Sequence, residues 1–290
     1  MLGILLIDKP IGITSHDVVS RMRKRFDTRR IGHAGTLDPL ATGLLVVAVG
    51  PATRFLQYLH LEPKEYVTTF RFGIETSTFD AEGEVVSERQ IPEDLVQRIN
   101  EELPQFREEI KQLPPMYSAV KRAGRPLYSY ARKGETVERQ LREVYIEEYE
   151  LLNTDESEAT FRIVCSGGTY VRTLAHDLGQ AVGCGAHVSS LCRTQVGRFH
   201  IDQAVEIDDA GPQDLIPLAE ALEPMPVVSL NAGQFRLVQN GHFVKVAEPP
   251  TAPLAALADE DGNVVSVARV QHNELHPECV IPMEALYGQV

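Results

Sequence analysis

The sequence predicts an α+β chain, with strands and helices mixed over residues 1–224 and a small all-β module at 225–290. Three observations carry this. Apolar runs at 4–7 and 44–49, and the alternating stretch 66–72, have the length and period of strands. Val18, Met22 and Phe26 recur every four residues, and Leu95, Val96, Ile99 and Leu103 form a second helical stripe. Glu223-Pro224-Met225-Pro226 then breaks the chain, and Asn240-Gly241 and Asp261-Gly262 behind it are hairpin dipeptides.

Taken in order, the strand at 4–7 is ended by Lys9-Pro10 and Gly12. Thr14 and Ser15 cap the first helix, with Asp17 placed for a capping box. Arg21, Arg23, Lys24 and Arg25 crowd its polar side, and Arg29 and Arg30 follow, six cations in ten residues. That run is either a solvated helical face or a phosphate contact. The strand at 66–72 puts Tyr66, Thr68, Phe70 and Phe72 on one side, and Glu82-Gly83 turns the chain before Val85-Val86. A helix is expected over 92–103. Pro114-Pro115 breaks the pattern inside an insertion at about 104–140, whose later part is basic and aromatic: Lys121, Arg122, Arg125, Tyr128, Tyr130, Arg132 and Lys133. Such a mix suits stacking on bases and contacting phosphates. Strands at 141–152 and 160–164 precede a helix that starts near Thr169 and stops at Gly183. Arg172 in its first turn opposes the helix dipole and asks for an anion nearby.

Apolar residues make up 43% of the 290 positions, enough for a sizeable core, and no apolar run reaches membrane-spanning length. The first ten residues are too short to be a signal peptide, so the expected location is cytoplasmic. Cys165, Cys184, Cys192 and Cys279 are irregularly spaced, as in a reducing compartment. Cys184-x-x-His187 lacks the second unit a zinc site needs, so no metal is expected. The net charge of −13 hides an uneven distribution: residues 1–60 carry eight Lys/Arg against four Asp/Glu, whereas 201–290 carry three against fourteen. A polyanion is steered by such local patches, so nucleic acid is not excluded.

The most informative stretch is residues 32–43, where Asp38 stands among glycines before the rigid Pro39 and the strand at 44–49. Two readings are open on these residues alone: a stiffly held nucleophile or general base, or a helix N-cap with proline at the first helical position. Tyr66, Tyr170 and Leu191 are equally readable as core, His33 as a turn residue and Arg172 as half of a surface ion pair.

Five blocks in order resemble the TruB family of tRNA pseudouridine synthases, which act on the T-loop uridine conventionally numbered 55. They are Asp8-Lys9-Pro10-x-Gly12-x-Thr14-Ser15, the loop at 32–43, Pro114-Pro115-Met116-Tyr117-Ser118-Ala119, Gly168-Thr169-Tyr170-Val171-Arg172-Thr173-Leu174, and Gly185-Ala186-His187-Val188 with Leu191. The resemblance runs from residue 2 to about 199. It implies the pseudouridine synthase fold, a mixed, largely antiparallel sheet flanked by helices, with a PUA-like RNA-binding module at 225–290. By similarity Asp38 is the catalytic aspartate, Arg172 its partner and Tyr66 the ring that stacks on the target base. Tyr170 and Leu191 then line the pocket, His33 holds the extruded nucleotides, and Lys9 and Pro10 support Tyr66. Arg21, Arg23, Lys24, Lys121, Arg122, Arg132, Lys133 and Arg193 are the expected RNA-backbone contacts. Relatives often carry two arginines where this chain has Cys192-Arg193, and many have a lysine where it has Gly167.

Pseudouridine formation gains no atoms or electrons from outside, so no cofactor is implied. The expected partner is tRNA through its T-arm stem-loop, with a monomeric enzyme needing no protein partner. The rivals are a guide-RNA-dependent synthase, a non-catalytic tRNA-binding or folding chaperone, and a nucleoside hydrolase.

Overall fold

The computed structural model describes residues 1–118, 121–122, 124–127, 130, 134–135 and 137–287. In chain order it runs β1 (Gly3–Lys9), α1 (Ser15–Arg25), β2 (Ile31–Ala34), β3 (Thr42–Val49), β4 (Lys64–Phe72), β5 (Ile74–Thr76), β6 (Val85–Glu88) and α2 (Leu95–Glu102). There follow β7 (Glu108–Gln112), β8 (Lys121–Arg122), β9 (Arg125–Pro126), β10 (Arg142–Thr154), β11 (Glu158–Cys165), α3 (Val171–Val182), β12 (Ala186–Val196), β13 (Phe199–His200), β14 (Val205–Glu206) and α4 (Leu218–Ala221). The last part holds β15 (Val227–Ser229), α5 (Ala232–Gln239), β16 (Val244–Lys245), β17 (Leu254–Ala258), β18 (Val264–Gln271), β19 (Glu274–Val280) and α6 (Met283–Tyr287).

The main sheet has the order β14-β1-β3-β12-β4-β11-β10-β7, with β2 on β3 and β13 on β12. It is mixed and largely antiparallel; β1–β14 and β3–β12 are its parallel pairs. β1 and β3 read as unbroken apolar runs because both of their faces are covered. Leu5, Ile7, Leu45 and Val47 enter a core with Val18 and Met22 of α1, Leu95 and Ile99 of α2 and Leu174 of α3. Ile4, Leu6, Leu44 and Val46 enter a second core on the opposite face. β4 alternates because Tyr66, Thr68, Phe70 and Phe72 point into the first core while the other side carries Arg71 and the Arg162–Glu65 ion pair.

α1 begins with the expected capping box: the Thr14 amide donates to Asp17 Oδ2 at 2.9 Å and the Asp17 amide to Thr14 Oγ1 at 3.1 Å. α3 stops at Gly183, whose φ of +97° is free of strain only in a residue without Cβ. Beyond residue 225, β15-β17-β18-β19-β16 form a five-stranded sheet. Its Ala256, Val264, Val267 and Cys279, with Ile281 just beyond β19, join the second core, so this sheet covers the back of the main one.

Several local expectations differ. Val96 is 45% exposed, because α2 starts at Leu95 and turns only Leu95 and Ile99 inward before Leu103 opens a 3-10 turn. Asn240-Gly241 does not make a hairpin. Asn240 is the C-cap of α5 and Gly241, at φ +76°, carries the chain out of it, so the terminal module contains a helix. Asp261-Gly262 does connect β17 to β18. No helix among the described residues is long and apolar enough to cross a membrane.

Candidate active site

Asp38 caps no helix; it sits in the loop between β2 and β3, and that loop is tied from three sides. The Leu37 amide donates to Ser15 Oγ at 2.9 Å, and the same hydroxyl donates to the Leu37 carbonyl at 3.1 Å. The Pro39 carbonyl accepts from the Gly12 amide at 2.8 Å and from Lys9 Nζ at 3.4 Å. Lys9 also donates to the carbonyls of Pro10 and Ile13. With both neighbours fixed, the Asp38 carboxylate is presented at a defined point, while remaining 39% exposed at its side chain. Lys9 and Pro10 do not line the pocket; through the Pro39 carbonyl Lys9 braces the Asp38 loop from behind.

Arg172, 5% exposed in the first turn of α3, meets the anion its helix position demands, and a second one. Its Nη2 lies 2.9 Å from Asp38 Oδ2 and its Nη1 3.1 Å from Asp80 Oδ2. The same groups donate to the carbonyls of Tyr117 at 2.8 Å and Thr78 at 3.1 Å. Asp80 is itself saturated, its Oδ1 accepting from Thr78 Oγ1 at 2.5 Å and the Glu82 amide at 3.1 Å. Phe79 between them adopts φ +64° and stacks on His176 of α3 at 4.0 Å, holding the Asp80 loop against the helix. Asp80 went unread in the sequence, where Glu82-Gly83 marked its segment as a turn.

A cavity of about 750 Å³ opens over this pair, within the range of small-molecule pockets. Its walls include Asp38, Arg172, Tyr66, His33, Tyr170 and Leu191, so six of the eight residues expected to be catalytic or to hold the base converge. Lys64, Thr78, Asp80, Glu82 and Arg193 also line it. The convergence follows from strand register: Tyr66 on β4 faces Arg193 on β12, and Arg193 faces Gly43 on β3. A Cβ at Gly43 would run into the Arg193 carbonyl, so only glycine lets β3 and β12 close here.

Burial pushes the Asp38 carboxyl above the usual aspartate range; Arg172 opposes the shift and Asp80 adds to it. Burial likewise lowers Lys9 to about 8 and raises the Tyr66 phenol. His33 is held toward its neutral form by burial and then by the Arg193 charge.

The expected RNA-backbone residues are placed unevenly. Arg21 and Lys24 are exposed and Arg23 half-buried on the last turns of α1. Arg193 is not a surface contact: it is 1% exposed, donating to the carbonyls of Leu44 at 2.8 Å and Gly35 at 3.0 Å beneath the pocket. Lys121 and Arg122 lie on β8, and Arg132 and Lys133 fall outside the described residues. His187 of the considered zinc spacing shares its Nδ1 with the Ile74 carbonyl at 2.8 Å, and no cluster of metal-ligating side chains occurs among the described residues.

Comparison with known proteins bears on this geometry. Residues 23–171 match the TruB family pseudouridylate synthase N-terminal domain, and residues 172–224 match the tRNA pseudouridylate synthase B C-terminal domain. tRNA pseudouridine synthase B of Burkholderia mallei (strain NCTC 10247) is 43% identical over 292 residues, covering 96% of both chains. The protein of the same name from Pseudomonas aeruginosa (strain UCBPP-PA14) is 42% identical over 282 residues, covering 92% of this chain and 91% of its own. Among solved structures, a Cbf5-Nop10-Gar1 complex contains a chain with a TM-score of 0.69 at 27% identity, covering 99% of this chain and 87% of that one. An H/ACA RNP bound to a substrate RNA containing 2'-deoxyuridine matches in fold, with a TM-score of 0.70 at 24% identity over 98% of this chain and 86% of that one.

Proposed function

The chain belongs to the TruB family of pseudouridine synthases, and we propose that it converts the T-loop uridine of tRNA, position 55 by convention, to pseudouridine with Asp38 as its catalytic carboxylate. The observation that carries the proposal is the 2.9 Å Asp38–Arg172 pair in the wall of a pocket faced by Tyr66. The relatives named tRNA pseudouridine synthase B support the tRNA substrate.

A base stacked in RNA must first leave its neighbours, at a cost of a few kcal/mol. A T-arm loop lowers that cost because its bases are unpaired. In the pocket the uracil lies against the Tyr66 ring, with Tyr170 and Leu191 closing the walls and neutral His33 filling the space the base leaves. Burial raises the Tyr66 phenol, so the ring meets the base as a neutral hydroxyl, which suits stacking. Asp38 acts as the carboxylate, kept ionised against its burial by Arg172. The N1–C1′ bond breaks, the ring turns, C5–C1′ forms, C5 loses a proton and N1 ends protonated. No redox partner enters this balance.

In the same proposal the enzyme acts as a monomer without guide RNA or protein partner. Residues 225–290 serve as its PUA-like module. With Lys245 and Arg269 each paired to a glutamate, that module's hold on RNA rests on few charges. The test is a T-arm stem-loop transcript incubated with the purified chain alone. Wild type forms pseudouridine; Asp38→Asn abolishes it while RNA affinity stays within a few-fold. Near-normal turnover by that variant, a requirement for guide RNA, or release of free uracil overturns the reading.

A further inference from the structure

We propose that Lys64 binds the backbone phosphodiester beside the nucleotide whose base enters the pocket. The proposal rests on the function above, because it takes the pocket to hold a flipped nucleotide.

Lys64 opens β4 two residues before Tyr66, so the two side chains leave the same face of the strand, about 7 Å apart along it. Both line the pocket. A nucleotide whose base lies on the Tyr66 ring must run its sugar and phosphate along a neighbouring wall, and the next position on this face is Lys64.

Among the described residues that line the pocket, Lys64 is the lysine or arginine without an acceptor. Arg172 is used by two carboxylates and two carbonyls, and Arg193 by the carbonyls of Leu44 and Gly35. Glu62, the acid beside Lys64, accepts the Gly167 amide at 2.9 Å, and no carboxylate among the described residues lies within ion-pair reach of Nζ. The ammonium is also partly desolvated, with the Arg193 charge beside it, and both effects lower its pKa against the smaller opposing pull of Glu62. A partly buried cation with Glu62 nearby but no direct ion pair or hydrogen bond among the described residues is free to take a phosphate oxygen as its partner.

Gly167 completes the arrangement. A Cβ there would meet the Glu62 carboxylate and stand 3.4 Å from Lys64 Nζ. The missing side chain at 167 lets the Glu62 carboxylate reach the Gly167 amide, so that acid is engaged beside Lys64.

The experiment uses the full chain and a T-arm stem-loop, unmodified or with one methylphosphonate at either phosphate flanking the target uridine. Lys64→Ala and Lys64→Gln raise KM about tenfold with kcat within threefold, the effect of losing a hydrogen bond to a charged group. The slope of log affinity against log salt flattens by about 0.7, and Lys64→Arg restores most of the loss. One of the two methylphosphonates weakens wild type by a similar factor and leaves Lys64→Ala unchanged. Both neutral variants keep the wild-type melting temperature, since the side chain is only half-buried. KM within twofold of wild type in both neutral variants overturns the proposal, as does a methylphosphonate penalty that adds fully to the Lys64→Ala penalty at both positions. A wild type that leaves the unmodified RNA unconverted sinks the proposed function; one that converts it while the variants match it sinks the Lys64 proposal alone.

Discussion

Arg172→Lys separates geometry from charge. Arginine reaches Asp38 and Asp80 at once through its two Nη atoms, at 2.9 and 3.1 Å, and donates to the carbonyls of Tyr117 and Thr78 as well. A lysine keeps the charge but has one nitrogen, and cannot span both carboxylates. At least two charge-assisted contacts are lost, each worth about 1.5–3 kcal/mol. The total of about 3–6 kcal/mol divides between folding and catalysis. Asp80, buried with Arg172 as its charge partner, carries the folding share; the misplaced Asp38 carries the other. If about 3–5 kcal/mol falls on the transition state, turnover drops by about 10²–10⁴. Single-turnover release of tritium from C5 of the target uridine measures it directly, alongside RNA affinity and urea unfolding. Turnover within tenfold of wild type, or a loss matched by an equal loss of RNA binding, refutes the argument that Arg172 aims the carboxylate.

Three further outcomes follow from the same geometry. Because burial and Asp80 raise the Asp38 carboxyl and the proposed mechanism uses its ionised form, kcat is expected to fall with falling pH through a value above the ordinary aspartate range. Asp80→Asn removes a negative neighbour, so that limb moves to lower pH even as the plateau falls; a limb that stays or rises refutes the assignment. Gly43→Ala puts a Cβ at φ +95° into the Arg193 carbonyl and should cost about 2–5 kcal/mol in chemical denaturation; a cost under about 1 kcal/mol means β3 and β12 can part freely. Replacing Arg21, Arg23 and Lys24 by Ala lowers RNA affinity and flattens its salt dependence; an unchanged slope leaves them as cations that complement the C-terminal end of α1.

Where one physical cause dominated, the fold was legible in the chain. β4, and α3 beyond its fully buried first turn, bury a single face, so their periods of two and near four appear directly in Tyr66, Thr68 and Phe70 and in Leu174, Ala175 and Leu178. β1 and β3 bury both faces, and their length marked them as strands. Legibility failed where one residue pair serves two structures. Asn240-Gly241 ends a helix with the same left-handed glycine that would have turned a hairpin, and the local chain does not distinguish them. Asp38-Pro39 has the form of a helix start, yet Ser15, Gly12 and Lys9 engage the backbone around it and leave it an open loop. β2 went unread because its four residues pair only with β3 and include a glycine.

The site was half legible for a related reason. An arginine in the first turn of a helix advertised that an anion was needed, and Asp38 was an acid in search of a role. The pairing closed without calling for Asp80, which lies 92 positions from Arg172 and whose role depends wholly on that distance being folded away. Yet the second carboxylate changes the chemistry. A guanidinium bound to Asp38 alone would neutralise it, lowering its pKa and its reactivity together. Shared with Asp80, which is buried and fully hydrogen-bonded, the same guanidinium leaves the three groups with one net negative charge. That charge is free to reside on Asp38, the more exposed of the two carboxylates and the one the pocket presents to a ligand. Under the proposed function, Arg172 therefore aims the carboxylate, and Asp80 keeps it from being quenched.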